Sequence, residues 1–147
     1  MSTHDAFSAE EMAVLRPIFL ESAREHLTSM SLITKEMEEG QPDACRLETL
    51  HRSVHSLKGA ALQLGFETLG RSASRLEQVL LRVRDARDAS PPAGWLDLVR
   101  RGLPLFERAV EQIASGNAEE SDEVWSAALE VWLAIAGERG GRSQAAG

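Results

Sequence analysis

Tyrosine is absent from this chain of 147 residues, cysteine occurs once, and basic residues are outnumbered by acidic ones, 16 to 23. Each shortage excludes something. A single thiol, Cys45, cannot staple a secreted fold, so a reducing compartment fits. Beside Ala44 and Leu47, near a helix start, Cys45 reads as a small half-buried residue rather than a reactive thiol. No apolar run approaches the roughly 20 residues of a membrane span. The opening MSTHDAFSAEEM has no basic region followed by an apolar stretch, so no secretory leader is expected and the cytoplasm is the expected location. The formal charge of -7 argues against nonspecific binding to nucleic acid or to acidic membranes, since both need a basic face.

What is present is helical. Ala, Leu, Glu and Arg dominate, β-branched residues are scattered, and a hydrophobic content of 43% is enough for one real core. Apolar residues recur at three-four spacing in five segments. The first runs from about Ser8 to Glu38 with the stripe Phe19, Ala23, Leu27, Met30, Ile33 and Met37; Pro17 is expected to kink it or split off a leading turn, and Gly40-Gln41-Pro42 ends it. The second runs from about Asp43, a good N-cap, to Leu64, with Leu47, Leu50, Val54, Leu57, Ala61 and Leu64 as its seam and Gly65 as its terminator. The third runs from about Glu67 to Arg87 on Leu69, Ala73, Leu76, Leu80 and Val83, and a Ser90-Pro91-Pro92 break follows. The fourth spans about Ala93 to Ser115, where Gly102 and Pro104 predict a kink or a split. The fifth runs from about Ser121 to Ala136, with Trp125, Leu129, Trp132, Leu133 and Ile135. Trp95, Trp125 and Trp132 sit at core spacing. The expected fold is all-α, an up-and-down four-helix bundle with an additional C-terminal fifth helix. Residues 1–137 form the domain, and the Gly-rich 138–147 reads as a disordered tail or linker.

The chemistry concentrates in the second helix. His55 follows the seam residue Val54, so it lies beside the buried stripe and not within it. His51, Lys58 and Leu62 share its flank at i−4, i+3 and i+7. Gly59, at i+4, adds no side chain to that face, although Gly inside a helix costs roughly 0.5–1 kcal/mol relative to Ala. Either a bulky partner must approach His55, or two helices must pack closely at Gly59. A lone lysine on a helix flank is usually just solvated. A nucleophilic imidazole, a cation one turn away and a missing side chain together fit a phosphoryl acceptor, with Lys58 offsetting charge on the phosphoryl oxygens. Such an imidazole needs its other nitrogen held by a hydrogen bond. Glu77 follows Leu76 as His55 follows Val54, and if the two helices form an antiparallel hairpin at Gly65-Phe66, the two residues lie level. The pair His51 and His55 also has the i, i+4 spacing of zinc ligands, but two are too few, a third would have to be Glu77 or His26, and no metal site is expected. His4 and His26 read as terminal or surface residues.

The run His55-Ser-Leu-Lys58-Gly59-Ala, then Leu64-Gly65-Phe66, Leu69 and Ala73-Ser-Arg-Leu76-Glu77, resembles the signature of histidine-phosphotransfer (HPt) domains, most of all the N-terminal phosphotransfer domain of CheA-type chemotaxis kinases. Phe19-Leu-Glu-Ser-Ala-Arg-Glu25-His-Leu27 is similar to that domain's first helix. The resemblance implies that His55 is phosphorylated on Nε2, that Glu77 bonds Nδ1 and that Lys58 assists transfer. Glu at 77, where many relay domains carry Gln, leans toward the chemotaxis type. Ser74 departs from it, since that type usually has a second His there. The implied function is a phosphoryl carrier in a two-component phosphorelay. Its implied partners are a histidine kinase catalytic domain and a response-regulator receiver, met through Arg52, Leu62 and Arg75; Arg52, Lys58, Arg71 and Arg75 make either a local positive surface that steers an acidic receiver or an ordinary mixed surface. ATP and Mg²⁺ are expected on those partner domains only: this chain has no Gly-rich nucleotide loop and should bind no cofactor itself. An adaptor bundle without phosphotransfer and a metal-dependent helical enzyme are the rival readings. A standalone carrier and the front of a larger kinase both fit the tail.

Overall fold

The computed structural model describes residues 7–40, 42–86 and 92–146, with side chains described to residue 138. His4, Gln41, Ser90 and Pro91 lie outside the described residues. The described residues form five helices and no strand: α1 (Ala9–Glu39), α2 (Ala44–Gln63), α3 (Glu67–Asp85), α4 (Trp95–Ala114) and α5 (Glu123–Ala146).

Local chemistry sets most of the helix ends. Ser8 and Glu11 form a reciprocal capping box at the start of α1, each side chain accepting the other's backbone N–H at 3.1 Å. Asp43 caps α2 by accepting the Arg46 N–H at 2.7 Å. At the far end of α2 the chain turns through Gly65 at φ 84, with Phe66 N–H on the Ala61 carbonyl and Gly65 N–H on that of Leu62. This is the left-handed C-terminal turn for which glycine is suited. The turn leaves only Leu64 to Phe66 between α2 and α3, so the two helices form a tight hairpin. Phe66 gives α3 no side-chain cap. That duty falls to Glu119, between α4 and α5, whose carboxylate accepts the Leu69 N–H at 2.7 Å.

Helices α1 to α4 pack in chain order and α4 closes against α1, making the four-helix bundle; α5 lies against α3 and α4. The α2 seam of Leu47, Leu50, Val54, Leu57 and Ala61 is buried, and so are Leu69, Ala73, Leu76 and Leu80 of α3. On α1, Thr34 is buried while Ile33 is only partly so; the Thr34 hydroxyl donates to the Met30 carbonyl at 2.7 Å and satisfies itself inside the core. The tryptophans of α5 are core residues. Trp125 donates its indole N–H to the Leu98 carbonyl at 2.8 Å and meets Phe106 edge-on, and Trp132 donates to the Pro92 carbonyl at 3.1 Å.

Several expectations need correction. Pro17 splits nothing: α1 is one helix through it. Likewise α4 is continuous through Gly102 and Pro104. Pro104 lies on the exposed face, where water can take the carbonyl that its missing N–H leaves free. Gly102 serves packing, since a Cβ there would sit 2.4 Å from Trp125 Cζ2. Ile135 is exposed rather than core, and Cys45 is exposed rather than half-buried. Helix α5 does not end near Ala136 but runs to Ala146, into the Gly-rich segment. Among the described residues no helix is long and apolar enough to cross a membrane.

Gly102→Ala should therefore destabilise the fold by about 1–3 kcal/mol through overpacking, despite the better helix propensity of Ala. Thermal unfolding checks this, and an unchanged or raised Tm would contradict the close contact with Trp125.

Candidate functional site

Glycine also sets how closely α2 and α3 approach. A Cβ on Gly70 would fall 2.4 Å from Leu62 Cδ2, so Gly70 lets α3 press against α2 near the turn. The hairpin then carries its register upward. Leu76 is fully buried, and Glu77, one step round the helix, is itself buried at 7% exposure. From α2, His55 stands level with it.

The Glu77 carboxylate gathers three neighbours. Its Oε2 lies 2.5 Å from His55 Nδ1. Its Oε1 accepts from Lys58 Nζ. His51 Nε2 lies 3.3 Å from Oε2, at an angle that makes no hydrogen bond. Burial pushes the Glu77 carboxyl up, but the hydrogen bonds from Lys58 and His55 and their charge outweigh it, and the group sits below the ordinary glutamate value. Glu77 is therefore an anion at neutral pH and is placed to accept an N–H from His55 Nδ1. A proton held on Nδ1 by that carboxylate would leave Nε2 bare, on the opposite edge of a side chain that is 61% exposed. Such an arrangement can present a nucleophilic nitrogen and stabilise positive charge that develops on the ring.

Around His55, a Cβ on Gly59 would meet nothing within 4 Å. Of its two readings, open space beside His55 stands and close helix packing does not. Arg52 and Leu62 are exposed on the same helix. Arg75, on α3, is ion-paired with Glu130 of α5, and Arg71 lies 3.7 Å from Glu67. None of the hydrogen bonds on Glu77 or His55 comes from Ser74. Among the described residues no three His, Cys, Asp or Glu side chains gather as a metal site, and His26 is half-buried. The sequence reading brought together His55, Lys58 and Glu77. It missed Gly70 and the Arg75–Glu130 pair, and it set Glu77 beside His51 only as a third ligand of a metal site it did not expect.

The Hpt domain family model matches residues 14–116, which include α2, α3 and α4 whole and most of α1. Chemotaxis protein CheA of Bacillus subtilis (strain 168) is 29% identical over 105 residues, covering 71% of this chain and 16% of that protein. The chain thus spans about a sixth of that relative's length. No solved structure matches.

Two measurements probe this geometry. Gly59→Ala should raise stability by about 0.5–1 kcal/mol, because the added methyl meets open space; a loss of stability would restore the packing reading. The lowered Glu77 value means that its contribution to stability is present above the ordinary glutamate range and is lost as pH falls through the folded-state value. Acid unfolding of Glu77→Gln should therefore lack part of the wild-type pH dependence in that window; identical acid limbs would contradict the pairing.

Proposed function

This chain belongs to the Hpt domain family, and from that premise we propose that it carries a phosphoryl group on Nε2 of His55 between a kinase and a receiver. The observation that carries this reading is the 2.5 Å contact between His55 Nδ1 and the buried Glu77 carboxylate, made by a side chain that is 61% exposed. In the forward step the Nε2 lone pair attacks phosphorus, the N–P bond forms, and the P–O bond to the donor breaks with its electron pair on the departing oxygen. The Nδ1 proton stays on the ring, which becomes cationic, and Glu77 offsets that charge. Transfer to a receiver aspartate reverses the bonds: the carboxylate oxygen attacks phosphorus and His55 leaves as a neutral imidazole.

The donor in this reading is a histidine kinase catalytic domain that supplies ATP and Mg²⁺ itself. The chain needs neither of its own. A receiver would seat on the exposed flank of α2, where Gly59 leaves room for it beside Arg52 and Leu62. Arg75 could join from α3 only by sharing or leaving Glu130. Residues 1–137 would act as the phosphotransfer unit and 138–147 as a tail or linker. The relative's name suggests chemotaxis signalling as the setting, and the cytoplasm is the location we propose.

Incubation with a cognate kinase and ATP should place an acid-labile, base-stable phosphate on the chain. His55→Gln should abolish it, and Glu77→Ala should slow it by at least about tenfold while the helical content holds. Labelling that survives His55→Gln would place the phosphate on another residue, and none with any kinase of the source organism would leave an adaptor bundle as the better account.

A further inference from the structure

His51 has no part in that reading, yet it occupies the most protected place beside the carboxylate after Glu77 itself. Its side chain is 16% exposed, against 61% for His55. The two rings are stacked at 27°, with centroids 6.0 Å apart. Both His51 ring nitrogens are buried and neither makes a hydrogen bond. Nε2 stands 3.3 Å from Glu77 Oε2, the oxygen that His55 uses, and Nδ1 stands 3.9 Å from Glu48 Oε1. A buried, unsatisfied imidazole is costly, and an apolar ring would fill the same space without that cost.

Lys58 supplies the other half of the argument. Its ammonium is spent on Glu77 Oε1 while His55 is unmodified. A phosphoryl group on His55 Nε2 would bring strong anionic acceptors within reach of a side chain three residues along the same helix. Lys58 is 23% exposed and can turn toward them. Glu77 cannot follow, because it is fixed in the α2–α3 seam. Once Lys58 leaves, a buried carboxylate keeps a single partner, a state that proteins avoid.

We propose that His51 takes over Glu77 when Lys58 turns to the phosphoryl group. In that exchange the Lys58–Glu77 hydrogen bond breaks, a neutral His51 donates its Nε2–H to the carboxylate, and Lys58 donates to the phosphoryl oxygens. No bond to phosphorus forms at His51 and no proton changes owner. His51 is thus a positioning residue: it keeps Glu77 aimed at His55 Nδ1 while the cation is engaged elsewhere. The proposal rests on His55 being the acceptor.

The test follows histidine ring signals of the full-length, ¹⁵N-labelled chain by NMR before and after phosphorylation, beside His51→Phe and His51→Gln. In the wild type, phosphorylation should make the His51 Nε2 proton appear downfield and exchange slowly. His51→Phe should keep or raise Tm, since it removes two unsatisfied nitrogens, yet accept phosphate about tenfold more slowly. His51→Gln should recover most of that rate, because its amide can donate to Glu77. A phosphorylated wild type whose His51 proton signal is unchanged overturns this proposal alone, and so does a His51→Phe chain that accepts phosphate at the wild-type rate. A wild type that takes no phosphate on His55 overturns the acceptor reading, and this proposal with it. The wild-type spectra decide the matter even where the Phe variant does not fold.

Discussion

One buried carboxylate organises this molecule's chemistry. Glu77 is 7% exposed and is kept charged there by hydrogen bonds from Lys58 and His55. A carboxylate in such a place must be paired, and the pairing constrains every group that supplies it. His55 turns Nδ1 to the carboxylate, and donating an N–H there would leave Nε2 bare. Lys58 is held back from solvent. His51 is left buried without a bond of its own. The reactivity assigned to His55 is thus a property of the α2–α3 seam rather than of an isolated surface histidine.

The bundle serves that seam. The left-handed turn at Gly65 makes the hairpin short, and Gly70 lets it close tightly. Glu119 holds the start of α3 from a distant loop, while Trp125 and Trp132 fasten α5 to α4 and to Pro92 just before it. Burial of Leu50, Val54, Leu57, Leu76 and Leu80 fixes the rotation of both helices and so fixes which residues flank the seam. Because the core is close-packed, a slip of one residue would carry His55 or Glu77 out of reach.

Much of this was legible in the residues because the relevant rules are local. Ser8 and Asp43 announce helix starts, Gly65 announces a stop, and three-four spacing marks the buried faces of α2 and α3. Counting outward from Gly65 was enough to set His55 level with Glu77. What escaped depends on neighbours that no local rule sees. Spacing alone could not tell Thr34 from Ile33, since burial of Thr34 depends on a hydroxyl that bonds its own helix. Gly102 and Pro104 look like breakers, yet one sits beneath Trp125 and the other faces solvent, so α4 continues. The nearness of His51 to Glu77 is a matter of depth between helices, which periodicity does not report.

The central claim is that Glu77 fixes the tautomer of His55. Long-range ¹H–¹⁵N NMR of the unphosphorylated chain at neutral pH reads that tautomer directly. The account predicts that the His55 proton resides on Nδ1 in the wild type and moves largely to Nε2 in Glu77→Ala. A wild-type His55 that carries its proton on Nε2 would contradict it.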